Sequence, residues 1–166
     1  MDVKRKLILA ALPLALCLSN TALAEIKIKF AEVHPAGYPP VVAEQNMGKK
    51  LEEQSKGEIS FKMHAGGVLG SEKEVVEQVQ LNAIQMTRIS LGIVGPVVPD
   101  VNVFNLPFVF RDHAHMRHVI DGPIGQEILD KITQSEAKLV ALAWMDGGTR
   151  NLYTKKPVRD IADLKG

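Results

Sequence analysis

Charged side chains stand where this 166-residue chain changes from one element to the next: His34, Glu74, Arg88 and Arg150. Arg150 comes just after Gly147-Gly148-Thr149, which follow an apolar run, and a guanidinium there suits two-pronged recognition of a carboxylate. Open α/β sheets take their ligands just beyond the carboxyl ends of their strands, which is where such a run would deliver it. A solvated charge or a structural ion pair is the competing reading for each of the four; the residues alone favour it for Glu74 and Arg88 and leave Arg150 open.

Other chemistries find less support. The mature chain holds no G-x-S-x-G, H-E-x-x-H, G-x-x-x-x-G-K-[ST] or paired-carboxylate motif. Gly66-Gly67-Val68-Leu69-Gly70-Ser71 sets glycines ahead of a helix start, so its N–H groups either receive an anion or close a tight turn. His113, His115 and His118 form an H-x-H-x-x-H cluster, but on a helix His113 points away from the other two. No fourth ligand is suitably spaced and Arg111 and Arg117 repel a cation, so surface histidines are expected rather than a zinc site.

The elements that must position these residues read as follows. Ile26, Ile28 and Phe30 alternate with Lys27 and Lys29, the period of a half-buried strand. Ala43, Met47 and Leu51 fall four apart along an amphipathic helix that Gly57 closes. A second strand is expected through Ile59, Phe61 and Met63, and a capping box at Ser71-Glu72-Lys73-Glu74 opens a helix whose buried face is Val75, Val79 and Ala83. Asn82 stops that helix ahead of a third strand around Ile84 to Ser90.

Gly95 to Phe110 reads as an apolar, irregular connection. Asp112 caps a helix through about Ile120, and Pro123 occupies the first position of another through about Thr133. Leu139 to Trp144 is a continuous apolar run, as expected of a strand covered on both faces. Strands alternating with helical connectors predict a parallel α/β fold.

Composition bounds the rest. With 46% hydrophobic and 23% charged residues the chain is ordinary for a folded domain, which argues against disorder. Lys4-Arg5-Lys6, an apolar run from Leu7 to Leu18 too short to span a bilayer, and Thr21-Ala22-Leu23-Ala24 read as a secretory signal peptide cut between Ala24 and Glu25. Cys17, the one cysteine, leaves with it, so no disulfide, thiolate metal site or cysteine catalysis is expected. The mature net charge is about −1, which gives no reason to expect a nucleic acid partner.

Five stretches, taken in order, match a known family. They are Leu69-Gly70-Ser71-Glu72-Lys73-Glu74 with Glu77-Gln78-Val79; Leu106-Pro107-Phe108-Val109-Phe110; Asp121-Gly122-Pro123-Ile124-Gly125; Gly148-Thr149-Arg150-Asn151-Leu152-Tyr153; and Pro157-Val158 with Ala162-Asp163-Leu164-Lys165-Gly166. In these the chain resembles the DctP-type solute receptors of tripartite ATP-independent periplasmic (TRAP) transporters. The resemblance implies a periplasmic, non-enzymatic receptor of the two-lobed periplasmic binding protein type (type II-like), here cut to the first lobe and the start of the hinge and second lobe. Residues 1–24 would be the signal peptide, 25–145 the first lobe, and 146–166 the hinge and start of the second lobe.

It further implies that Arg150 reaches the ligand carboxylate and that His34, Tyr38, Glu74 and Arg88 face the pocket. The string His34-Pro35-x-x-Tyr38-Pro39 with Thr87-Arg88 looks closest to hexuronate-binding members, ahead of C4-dicarboxylate binders. Glu74 would then accept from sugar hydroxyls while Arg88 and Arg150 neutralise acid groups. The implied partners are a small organic acid and the small and large membrane subunits of the transporter; no cofactor or metal is implied. The family continues past the Asp-Leu-Lys-Gly turn into a strand with its principal carboxylate-binding arginine, so a polypeptide ending at Gly166 is expected to bind weakly. Two other functions compete: a ligand-sensing periplasmic subunit, and a periplasmic enzyme using Glu74 and a histidine as acid and base.

Overall fold

The computed structural model describes residues 25–148 and 153–164. The expected signal peptide over residues 1–24, and Arg150, lie outside them.

Three parallel strands form the sheet, in the order β2-β1-β3. β1 (Ile26–Ala31) is central, paired with β2 (Ile59–His64) along its whole length and with β3 (Met86–Thr87) only at its carboxyl end. The chain leaves β1, forms β2 on one side, and crosses back to form β3 on the other. That reversal creates a topological switch point between the carboxyl ends of β1 and β3.

Helices cover both faces of the sheet. α1 (Pro39–Gln54) starts on two prolines, whose fixed φ suits a first helical turn, and packs against β2. Its buried face is Val41, Glu44 and Gly48, while Ala43, expected on that face, is exposed and Met47 and Leu51 are half-buried. Gly48 sets the packing distance: a Cβ there would lie 2.1 Å from Phe61 Cδ1. On the opposite face α2 (Glu72–Gln80) buries Val75 against Ala31 and Ile84. Ala83 lies past the end of α2 and is exposed. Ser71 caps α2 in a capping box with Glu74, and Asn82 (φ 58°) turns the chain after it, as the sequence predicts.

Two expected strands come out differently. The stretch from Ile84 to Ser90 pairs only through Met86–Thr87, because the Thr87 hydroxyl takes the Ala31 carbonyl and the next residue turns its side chain to other work. Leu139 to Trp144 makes no ladder among the described residues and is not covered on both faces. Leu139, Ala141 and Trp144 pack on a second core of Val94, Val98, Val101, Ile128 and Ile132, but Val140 and Leu142 are 72% and 67% exposed.

α4 (His113–Ile120) packs against α5 (Pro123–Gln134), which supplies Ile128 and Ile132 to that second core, and both helices begin where the sequence places them. The connection before them is less irregular than expected, holding a short α3 (Leu91–Val94) and a 3-10 helix over Pro99–Asn105. Trp144 fixes the run after α5 by donating from Nε1 to Gly125 O at 3.1 Å.

Candidate ligand-binding site

Register builds the site. Ala31 of β1 faces Thr87 of β3, so the residues one step beyond, Glu32 and Arg88, are also side by side. Side chains alternate across a sheet, so both point to the face that α1 covers. The Arg88 guanidinium donates from Nε to Glu32 Oε2 at 2.6 Å and from Nη2 to Glu32 Oε1 at 2.8 Å, a two-pronged charge-assisted pair. The Glu32 side chain is wholly buried and that of Arg88 is 15% exposed.

His34 completes the group on its open side. Its backbone N–H donates to Glu32 Oε1 at 2.9 Å, and its ring Nδ1 lies 2.6 Å from the same oxygen and against Arg88 Nη2. Tyr38 stacks on the His34 ring with centroids 4.8 Å apart, and its hydroxyl donates to Gly147 O at 3.3 Å. Those contacts bring the segment after the Trp144 run to the mouth of the site.

From α1, Glu44 enters the same cluster. It is 2% exposed, its Oε1 lies 3.4 Å from Arg88 Nε, and neither of its oxygens has a hydrogen-bond partner among the described residues. Burial and the neighbouring Glu32 charge push the Glu44 carboxyl up to about 7, with Arg88 opposing. Burial also pushes Glu32 up, but the Arg88 guanidinium and the His34 N–H and ring outweigh it and hold that carboxyl below its ordinary value. For Arg88, burial favours loss of its proton, while the hydrogen bonds and charge of Glu32, with the charges of Glu44 and Glu72, raise its pKa further. Two carboxyls thus share one guanidinium, and they hold their protons with very different strengths.

Of the residues singled out from sequence, the fold brings together His34, Tyr38 and Arg88. Glu74 stands apart: its Oε2 accepts from Ser71 N and Ser71 Oγ, both at 2.8 Å, and the Ser71 N–H holds its pKa below the ordinary value. The glycine loop uses its N–H groups within the fold: Gly66 N donates to His34 O and Gly67 N to Glu32 O, tying it to the segment after β1, and Gly70 N donates to Gly67 O in a turn. His113 faces Asp146 at 3.0 Å, and His115 Nδ1 accepts from Arg111 N.

Glu32 and Glu44 were not singled out from sequence, although both leave a trace there. Glu32 continues the inward phase of Ile28 and Phe30, and Glu44 falls three residues after Val41 on a helix. A charge in a buried phase, with an arginine ending a parallel strand, is the signal that finds them.

The sequence model for bacterial extracellular solute-binding proteins of family 7 (DctP) matches residues 30–166. The chain belongs to that family. A solute-binding protein of Chromohalobacter salexigens is 33% identical over 154 residues, spanning 92% of this chain and 45% of the relative. A TRAP periplasmic solute binding protein from Pseudomonas putida F1, crystallised with bound D-glucuronate, is 78% identical with a TM-score of 0.80, covering 85% of this chain and 46% of that one. Its counterpart from Xanthobacter autotrophicus Py2, with bound β-D-galacturonate, is 46% identical with a TM-score of 0.76, covering 84% and 46%.

This family 7 chain therefore spans about half the length of the relatives it matches. Its α/β fold with a parallel sheet is that of the TRAP periplasmic binding proteins, and family 7 relatives are solute-binding proteins.

Proposed function

We propose that this chain is the first lobe of an extracytoplasmic receptor that captures a hexuronate and hands it, unaltered, to the membrane subunits of a TRAP transporter. One observation carries the choice of ligand: the positive charge of Arg88 is already neutralised by Glu32 at the switch point. The Glu32–Arg88 pair offers an incoming acid no free positive charge, so it is left to meet hydroxyls rather than a second carboxylate. A sugar acid needs one cationic subsite and a set of groups that both donate to and accept from hydroxyls. Glu32, Arg88, His34 and Tyr38 have that mixed character, and Arg150, three residues beyond the Gly147 carbonyl held by Tyr38, is the group assigned to the carboxylate. The hexuronates held by the Pseudomonas and Xanthobacter relatives support the same reading.

In this reading residues 1–24 direct export and are removed after Ala24, residues 25–145 form the ligand-binding lobe, and residues 146–166 open the hinge and second lobe. Titration calorimetry of the full-length mature receptor with D-glucuronate, D-galacturonate and succinate tests it. Both hexuronates should bind and be recovered unchanged, with succinate at least tenfold weaker. Tighter binding of succinate, or conversion of either sugar acid, would overturn it.

A further inference from the structure

Glu32 already neutralises Arg88, so a second carboxyl beside that guanidinium, Glu44, is more than charge balance needs. It lies on the buried face of α1, 2% exposed, with neither oxygen hydrogen-bonded among the described residues and with Oε1 3.4 Å from Arg88 Nε, a guanidinium already committed to Glu32. An amide, or an apolar side chain of similar volume, would occupy the same space without the cost of burying a carboxyl. What a carboxyl adds is a proton that comes and goes beside the Glu32–Arg88 pair.

The surroundings define what that proton changes. Facing Glu44 are Glu32 from the end of β1 and Arg88 from the end of β3, with His34 beyond them in the loop and Glu72 of α2 acting on Arg88 through its charge. On the face of β2 beneath α1 stand Phe61 and Met63, neither titratable, since His64 is in register with Ala31 on the opposite face. With Glu44 protonated, the Glu32–Arg88–Glu44 group is neutral. Once Glu44 ionises the group carries a net negative charge in a poorly solvated place, where it opposes an incoming anion. Its pKa of about 7 puts that change within the ordinary working range of a periplasm.

We propose that Glu44 is a positioning residue that couples capture of an anionic sugar acid to uptake of one proton, the protonated carboxyl keeping Arg88 committed to Glu32 and the cluster neutral when the ligand arrives. This rests on the receptor reading above, and deepens it by assigning the site a proton as co-ligand. The linkage has a definite sign: ligand binding favours the protonated form, so affinity is greatest below the pKa of Glu44 and falls as the pH rises through it.

The test is calorimetric, on the full-length mature receptor. D-glucuronate is titrated from pH 6 to pH 8, and at pH 7 in two buffers of different ionisation enthalpy, with wild type and Glu44→Gln. Wild type should lose up to about tenfold in affinity between pH 6 and pH 8 and take up a fraction of a proton at pH 7. Glu44→Gln should bind at every pH with a nearly constant affinity and take up no proton. A wild-type affinity independent of pH, or an unchanged slope in Glu44→Gln, overturns the coupling and leaves the receptor reading standing. Failure of wild type to bind D-glucuronate or D-galacturonate at any pH overturns both. The two-buffer measurement needs only wild type, so a poorly folding variant does not remove the test.

Discussion

Replacing Arg88 with methionine probes the centre of the site, because it keeps the length of the stem and removes the guanidinium from two buried carboxyls. Glu32 is wholly buried and Glu44 is 2% exposed, so neither can turn to water when its cation is gone. The variant's remaining option is to hold protons on both. Keeping a carboxyl of ordinary pKa near 4.3 protonated at pH 7.5 costs about 4 kcal/mol, at 1.36 kcal/mol per pH unit. At pH 5 the same demand costs about 1 kcal/mol.

Glu44 is already raised to about 7, so Glu32 bears most of this cost. Arg88→Met should therefore lose about 4 kcal/mol of stability at pH 7.5 and about 1 kcal/mol at pH 5, in line with the roughly 3–5 kcal/mol for orphaning a buried charge. Urea unfolding followed by far-UV circular dichroism at both pH values measures this. A loss below 1 kcal/mol at pH 7.5, or the same loss at both, would refute the claim that the guanidinium neutralises a desolvated pair.

Other outcomes follow from the same geometry. Gly48→Ala gains about 1 kcal/mol of helix propensity but forces a methyl to within 2.1 Å of Phe61 Cδ1, an overpacking of about 1–3 kcal/mol, so urea unfolding should show a net loss. The raised carboxyl of Glu44 binds its proton more tightly in the folded chain than in the unfolded one, so its contribution is full below pH 4.5 and is lost as the pH rises to about 7. Glu44→Gln should flatten that fall in a series of melting temperatures from pH 4.5 to pH 7.5. Arg150→Ala should weaken D-glucuronate binding at least tenfold, about 1.4 kcal/mol, by calorimetry on the full-length receptor.

Local signals made much of the fold legible. The Ser71–Glu74 box, the Asp112 cap, Pro123 at a first helical position and Asn82 at φ 58° each act over a few residues, and each sets an element boundary where the sequence places it. Pairing is not local. Whether Ile84 to Ser90 and Leu139 to Trp144 form ladders depends on which neighbours they meet, and apolar composition alone does not report that.

The site was legible in part for a related reason. His34, Tyr38 and Arg88 stand out as polar groups at element ends, and the fold gathers them. Glu32 and Glu44 are hidden because a glutamate in an otherwise amphipathic stretch reads as solvent-facing until the register shows its phase. Their interest lies in that contradiction, since a charge on a buried face is held there only by a partner, and the partner is Arg88.

The crystal structure of the full-length receptor with D-glucuronate examines the account most directly. The sugar should lie beyond the carboxyl ends of β1 and β3, with its hydroxyls within hydrogen-bond reach of the Glu32, His34 and Arg88 group. Density for the sugar elsewhere, with that group untouched and its hydrogen bonds unchanged, would contradict it.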